Sequence, residues 1–380
     1  MPGLLNHVDP DGLLEYSVVY TDRALNHMSQ RFQRVMQDVS ALLKQVYGAR
    51  SAIVVPGSGS FGMEAVARQF ASGKKVLVIR NGWFSYRWSQ IFEMGAIPSE
   101  ARVLKARRAE AGAQAAFAPA PIAEVQAVIR EFKPDVVFAP HVETSAGMIL
   151  PDDYLRAVAD AVHAHGGLFV LDCVASGAMW VDMKATGVDI LVSAPQKGWS
   201  STPCAGLVML GDEARARIDG TNSSSFSMDM KKWLAIMETH EQGKNAYHAT
   251  LPTDGLAQLR DAMQETAAMG FAQAMAAQRD IGQRMRKLLE ARGIQSVAAE
   301  GFQAPCVIVS YTDRDDFQNT QAFIRQGLQI AAGVPLACDE GADFKTFRIG
   351  LFGLEKLQHP QRTVASFERA LDAALAAPRA

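Results

Sequence analysis

Cysteine is scarce in this chain: Cys173, Cys204, Cys306 and Cys338 are its four cysteines, scattered through 380 residues with no CxxC spacing. That scatter argues against a disulfide framework or a zinc knuckle and predicts a reducing, cytoplasmic setting. An excess of charge of one sign is also lacking. The 38 basic and 40 acidic residues leave a formal net charge of −2, so no electrostatic footprint for nucleic acid or a membrane surface is visible. No run of about 18 apolar residues exists for a membrane span. The opening M-P-G-L-L-N-H-V-D-P-D lacks the charged-then-apolar order of a signal peptide.

The hydrophobic share, 48%, supplies ample core, and the length predicts one large and one small domain. Residues 1–20 show no periodicity and read as an arm. Apolar residues at helical spacing predict a helix over 22–46, stopped by Gly48. Short apolar runs at 52–55, 76–79, 136–139, 168–171, 189–192 and 205–210 alternate with helical stretches at 61–70, 122–132 and 151–165. This is the pattern of βαβ units and a mainly parallel sheet, an α/β large domain over 21–253. Residues 99–121, rich in Ala and Arg, read as a hairpin or surface excursion. From residue 254 the character changes: a long helical region at 256–292, strands at 305–311 and 346–351, and helices at 318–327 and 363–376 make a smaller α+β domain over 254–380.

Three elements carry chemistry. Lys197, in L-V-S-A-P-Q-K-G-W-S-S-T, follows a strand among Ala194, Pro195, Gly198 and Trp199. That setting desolvates an ammonium and suits a Schiff-base nucleophile. One βα unit upstream, Asp172 ends a buried strand, where open α/β sheets bind ligands. Further upstream, G-S-G-S-F-G from Gly57 to Gly62 joins a strand to a helix start whose free N–H groups suit a phosphate. The same glycines fit a dinucleotide fingerprint, but Arg80 and Asn81 stand where that motif wants an acid. His163 and His165 close a helix, and no metal site is expected.

The order of phosphate cradle, strand-end aspartate and lysine resembles the fold type I pyridoxal-phosphate enzymes, and more narrowly the class V aminotransferases that include the alanine:glyoxylate and serine:glyoxylate enzymes. The resemblance implies that Ser58, Gly59, Ser60 and Gln196 hold the cofactor phosphate, with no large positive charge needed there. By the same resemblance Asp172 pairs with the pyridine nitrogen, Val174 packs beneath the ring and Phe84 stacks above it, with Trp83 as competitor. It also implies that Ser145, in H-V-E-T-S-A-G, lies near the phenolic oxygen, that Lys197 carries the cofactor, and that Arg348 receives the substrate carboxylate. Tyr247 and Thr250, in Y-H-A-T-L-P, match a segment that reaches a neighbouring subunit's phosphate, which implies a homodimer with a shared site. The implied reaction is ping-pong amino transfer from a small donor, alanine or serine, to glyoxylate or pyruvate. The rivals are a cysteine desulfurase or lyase using Cys338, and a dinucleotide-binding oxidoreductase. The chain departs from the family at E-Y-S-V-V-Y-T-D, Glu15 to Asp22, where relatives carry a Gly-Pro-rich segment bordering the substrate.

Overall fold

A computed structural model describes residues 13–378, so the first part of the expected N-terminal arm lies outside the described residues. The chain enters helix α1 at Gln30–Tyr47, later than the periodicity predicts. The start is set by Ser29, whose side chain accepts from the Phe32 N–H and satisfies a donor of the first turn. Phe32, Val35, Met36, Val39 and Leu43 form its buried face, each stabilising the fold by roughly 1.5–3 kcal/mol. Gly48 ends it at φ +64°, a left-handed stop that glycine adopts without a Cβ penalty.

The large domain then alternates β1 (Ser51–Pro56), α2 (Gly59–Phe70), β2 (Lys75–Arg80), α3 (Trp83–Gly95) and β3 (Glu100–Lys105). A small hairpin, β4 (Arg107–Arg108) and β5 (Phe117–Ala118), leads to α4 (Ile122–Phe132) and β6 (Val136–Pro140). A second hairpin, β7 (Val142–Glu143) and β8 (Met148–Ile149), precedes α5 (Asp152–His163), β9 (Leu168–Asp172), α6 (Met183–Thr186), β10 (Ile190–Ser193) and β11 (Ala205–Leu210). Seven strands pair in the order β1-β11-β10-β9-β6-β2-β3. Five of them, from β10 to β3, run parallel, and β11 is antiparallel to both of its neighbours. The expected surface excursion over 99–121 thus contains both a hairpin and the edge strand β3. Its sequence E-A-R-V-L-K is charged and largely exposed, which protects a sheet edge but erases the apolar signature of a strand.

After α7 (Asp212–Arg217) and α8 (Met230–Glu241), the expected long helix is two, α9 (Thr253–Met269) and α10 (Phe271–Glu290). They break at Gly270, whose φ of +93° no helix interior accepts. The rest comprises β12 (Val307–Tyr311), the short helices α11 (Asp315–Gln318) and α12 (Gln321–Ile324), β13 (Ala331–Ala332), β14 (Thr346–Gly350), α13 (Leu354–Gln358) and α14 (Pro360–Ala376). The single helix expected over 318–327 is interrupted by Thr320, at φ +71°. One core surrounds the large sheet and takes in Leu256, Leu259 and Met263 of α9. A second, around Phe323 and Phe347, begins on the α10 side with Ala274. Among the described residues no helix is long and apolar enough to cross a membrane.

Candidate active site

The carboxyl ends of the sheet strands converge on one cavity of about 190 Å³. Ser58, Gly59 and Ser60 reach it from the β1–α2 turn, Phe84 from α3, Asp172 and Val174 from the end of β9, and Gln196 and Lys197 from beyond β10. The structure therefore brings together eight of the residues singled out from sequence. Phe84 lines the cavity and Trp83 does not: the Trp83 ring instead packs on Tyr86 at 5.6 Å.

Each wall has a physical cause. Gly59 must be glycine because a Cβ there would come within 2.8 Å of the Val174 Cγ2, so the turn closes directly on the cavity floor. Asp172 is buried, and its Oδ1 accepts from the Val174 N–H at 2.9 Å. Burial raises its pKa to about 6, against the lowering by that hydrogen bond and by Lys197. Lys197 shifts the opposite way for the same reason: desolvation lowers its pKa, opposed by the attraction of Asp172. Its Nζ lies 5.8 Å from the Phe84 ring centroid and 5.5 Å from that of Phe352. Arg348 approaches the Phe84 ring with its Cζ at 5.6 Å, while its Nε donates to the Ala332 carbonyl at 2.8 Å. Burial lowers the pKa of this guanidinium, and Glu143 opposes the shift.

Two expectations for the pocket change. The cradle was expected to need no large positive charge, yet Arg87 lines the cavity and donates to the Ser60 Oγ at 3.0 Å, its Cζ 5.4 Å from the Phe84 ring. Ser145 faces away from the cavity, its Oγ donating to Glu143 at 2.7 Å and accepting from the Trp83 N–H at 2.9 Å. Its neighbour Thr144 lines the cavity instead, with a buried Oγ1 that has no hydrogen-bond partner among the described residues. Glu143, fully buried, is the other residue the sequence reading passed over. An acid close behind the apolar run 136–139 was the available signal, since a buried carboxylate requires donors.

Tyr247 and Thr250 do not join the cavity. Both are exposed, and their hydroxyls lie 3.2 Å apart. Cys338 is buried outside the cavity lining, its Sγ 3.5 Å from the Arg80 carbonyl, and burial pushes its thiol up to about 12. Such a thiol is protonated at neutral pH and a poor nucleophile, which removes the support for the desulfurase rival. Arg80 is likewise engaged inside the fold, with Nη2 on the Ser89 Oγ at 2.8 Å, so the end of β2 presents no acid for a dinucleotide ribose. His163 bonds Asp189 and His165 bonds the Pro134 carbonyl, each at 2.8 Å. No cluster of metal-ligating side chains occurs among the described residues. A larger hollow of about 450 Å³, lined by Lys44, Arg50, Arg215, Glu238 and Glu241, lacks every residue singled out from sequence. Much of its charge is paired internally, as in Lys44–Glu241 at 2.6 Å and Arg215–Glu238 at 2.9 Å.

The donor set fits a planar, phosphorylated, cationic heterocycle. A glycine-tight cradle with two serines and an arginine suits the phosphate, the buried carboxylate suits a protonated ring nitrogen, an aromatic face covers the ring seat, and an unpartnered threonine hydroxyl awaits an acceptor or donor.

Comparison with known proteins agrees. The family model for aminotransferase class V matches residues 13–352. Alanine–glyoxylate aminotransferase of Oryctolagus cuniculus is 26% identical over 341 residues, covering 87% of this chain and 82% of that protein. A 2-aminoethylphosphonate–pyruvate transaminase of Paraburkholderia phymatum is 29% identical over 351 residues, covering 90% and 88%. The crystal structure of an alanine–glyoxylate aminotransferase from Nostoc shares the fold with a TM-score of 0.78 at 22% identity, covering 92% of this chain and 88% of that one. The chain belongs to the class V aminotransferases and is a pyridoxal-phosphate-dependent aminotransferase.

Proposed function

We propose that the chain moves an amino group from a small amino acid of the alanine or serine type to glyoxylate or pyruvate by a ping-pong cycle. The observation that carries this reading is the convergence of Lys197 and Asp172 on one cavity, beneath the Phe84 ring that Arg348 approaches from outside. Bound pyridoxal phosphate supplies an electron sink for the donor's Cα–H bond.

This chain's residues do the rest. Lys197 holds the cofactor through its Nζ, and its lowered pKa makes the free amine available to attack. Once displaced by the donor, the same Nζ would take the Cα proton and give it back two bonds away, on the cofactor side, a general base and acid in turn. Asp172, buried in the cavity wall, would hold the ring nitrogen and keep it protonated. The Asp172 pKa of about 6 reflects a buried carboxylate without a strong cation of its own, so a cationic partner drives it to ionise. Val174 and Phe84 would sandwich the ring, Thr144 would stand beside it, and Ser58, Gly59, Ser60, Gln196 and Arg87 would hold the phosphate. Arg348 orients the donor carboxylate with the two guanidinium nitrogens that Ala332 leaves free. Among the described residues, the cations of the cavity lining are Arg87 and Lys197, which the cradle and the cofactor would occupy, in keeping with a small donor.

Tyr247 and Thr250, exposed and unconnected to the cavity of their own chain, are read as ligands to the phosphate of a second subunit, making the enzyme a homodimer. The core distribution supports a boundary between the large and small domains within the α9–α10 region, somewhat beyond residue 254. Four free, buried cysteines support a reducing, cytoplasmic setting.

A panel of donors with glyoxylate and with pyruvate tests the substrate reading. Alanine or serine should turn over fastest. A marked preference for 2-aminoethylphosphonate, the substrate in the name of the Paraburkholderia relative, or for aspartate, would contradict it.

A further inference from the structure

The charge nearest to the heart of the site that no proposed step uses is Glu143. It is fully buried, and its two oxygens collect hydrogen bonds from two segments of the chain. Oε1 accepts from the N–H groups of Phe84 at 3.2 Å and Ser145 at 3.1 Å, and from the Ser145 hydroxyl at 2.7 Å. Oε2 accepts from the Ser85 N–H at 2.9 Å and the Ser85 hydroxyl at 2.7 Å.

Phe84 and Ser85 belong to the first turn of α3, whose N-cap, Gly82, has no side chain to satisfy their donors. A side chain there is impossible: a Cβ on Gly82 would stand 2.7 Å from the Glu143 Cγ and 2.1 Å from the Ser145 Oγ. The helix is therefore capped from outside, by a carboxylate on β7, and the helix dipole adds to the attraction. The Ser85 Oγ tightens the same turn by accepting from the N–H groups of Asn81 and Gly82 at 2.9 and 3.1 Å.

We propose that Glu143 is the positioning residue of the active site: its carboxylate fixes the first turn of α3 and thereby holds the Phe84 ring against the cofactor seat. This rests on the reading of the cavity as the pyridoxal-phosphate site. The demand is for a carboxylate in particular. Both oxygens face backbone N–H groups, which cannot reverse their polarity as a hydroxyl can. A glutamine of identical shape must then turn its NH2 toward one of those donors, leaving a buried clash of like dipoles. Shape alone, by contrast, would make glutamine a harmless replacement.

The test compares wild type, Glu143→Gln, Glu143→Ala, Phe84→Leu and the double variant Phe84→Leu/Glu143→Gln, all as apoproteins. Equilibrium dialysis against pyridoxal phosphate gives the affinity, and amide hydrogen exchange over residues 81–88 reports the first turn of α3 with no cofactor present. Glu143→Gln should weaken cofactor affinity about ten-fold or more and speed exchange in that peptide, much as Glu143→Ala does. In the Phe84→Leu background the glutamine should add less than about two-fold, because the ring through which it acts is gone. Wild-type affinity and exchange in Glu143→Gln would overturn the proposal, as would full additivity with Phe84→Leu. If Glu143→Gln does not fold, Glu143→Asp keeps the charge and shortens its reach to the Phe84 and Ser85 N–H groups: faster exchange over 81–88 supports the proposal and unchanged exchange overturns it. Failure of the wild type to bind pyridoxal phosphate would instead sink the cofactor reading, while the exchange measurement still decides whether Glu143 fixes the turn.

Discussion

The strand ends and the Tyr247–Thr250 segment were both read from motifs of similar clarity, yet the fold treats them oppositely. Asp172, Lys197 and the Ser58–Ser60 turn sit at carboxyl ends of strands in one twisted sheet, so the sheet itself forces them to one place. Tyr247 and Thr250 lie on an irregular stretch between α8 and α9, both exposed; their hydroxyls meet each other, and the Tyr247 ring lies 5.5 Å from that of the buried His27. The difference teaches that a residue's position along a strand predicts which site of its own chain it joins, whereas a loop residue exposed on the surface needs a second molecule before it joins any. The electrostatics follow the same division. Burial perturbs Asp172, Lys197 and Arg348, all of them within or beside the cavity.

The largest break in this contrast comes from the sheet side. Lys197→Ala should reduce amino transfer by roughly 10⁴-fold, since both proton transfers lose their base, measured as steady-state turnover with alanine and glyoxylate. Asp172→Asn should lower kcat on the order of a hundred-fold while cofactor stays bound, because a preorganised charge is lost from a buried position. Arg348→Lys is smaller: the KM for carboxylate donors should rise roughly ten-fold as the two-pronged contact is lost, with kcat less affected.

The loop side gives a subtler test. A Tyr247→Ala/Thr250→Ala variant should lose cofactor affinity a few-fold. Mixed and reassembled with Lys197→Ala, it should recover activity, because hybrid dimers then contain one intact site made from both chains. No recovery on mixing would place the loop in its own chain's chemistry and dissolve the contrast. Smallest of all, Cys338→Ala should leave turnover within about two-fold of wild type, since a buried, protonated thiol outside the cavity has no role in the reaction.

The sheet strands, their flanking helices and the cavity they share are legible in the sequence because buried strands and glycine turns leave strong local signatures: β11, at 205–210, and α4, at 122–132, fall where the periodicity puts them. What was not legible depends on contacts distant in sequence. The edge strand β3 is charged, and its identity comes from pairing with β2, Lys75 opposite Glu100 through Arg80 opposite Lys105. Gly270 interrupts the helical stretch expected over 256–292 with no proline beside it to announce the break. Ser145 was drawn away from the cavity by Glu143, a carboxylate whose own donors lie mostly on α3, about sixty residues earlier in the chain. Arg87 gave no local sign that it would reach back to Ser60. A motif names the residues near a site, and the buried polar network behind it decides which of them face inward.

The most direct measurement follows the apoprotein as pyridoxal phosphate is added, recording the visible absorption band across a pH series with wild type and Lys197→Ala. The expected result is a band that forms only with Lys197 and bleaches on adding alanine. Its rate of appearance should climb about tenfold per pH unit as the amine loses its proton and level off below pH 10.5, the ordinary lysine value, because burial holds the Lys197 pKa down. A band that forms unchanged in Lys197→Ala, or a protein that takes up no pyridoxal phosphate at any pH, would contradict the account.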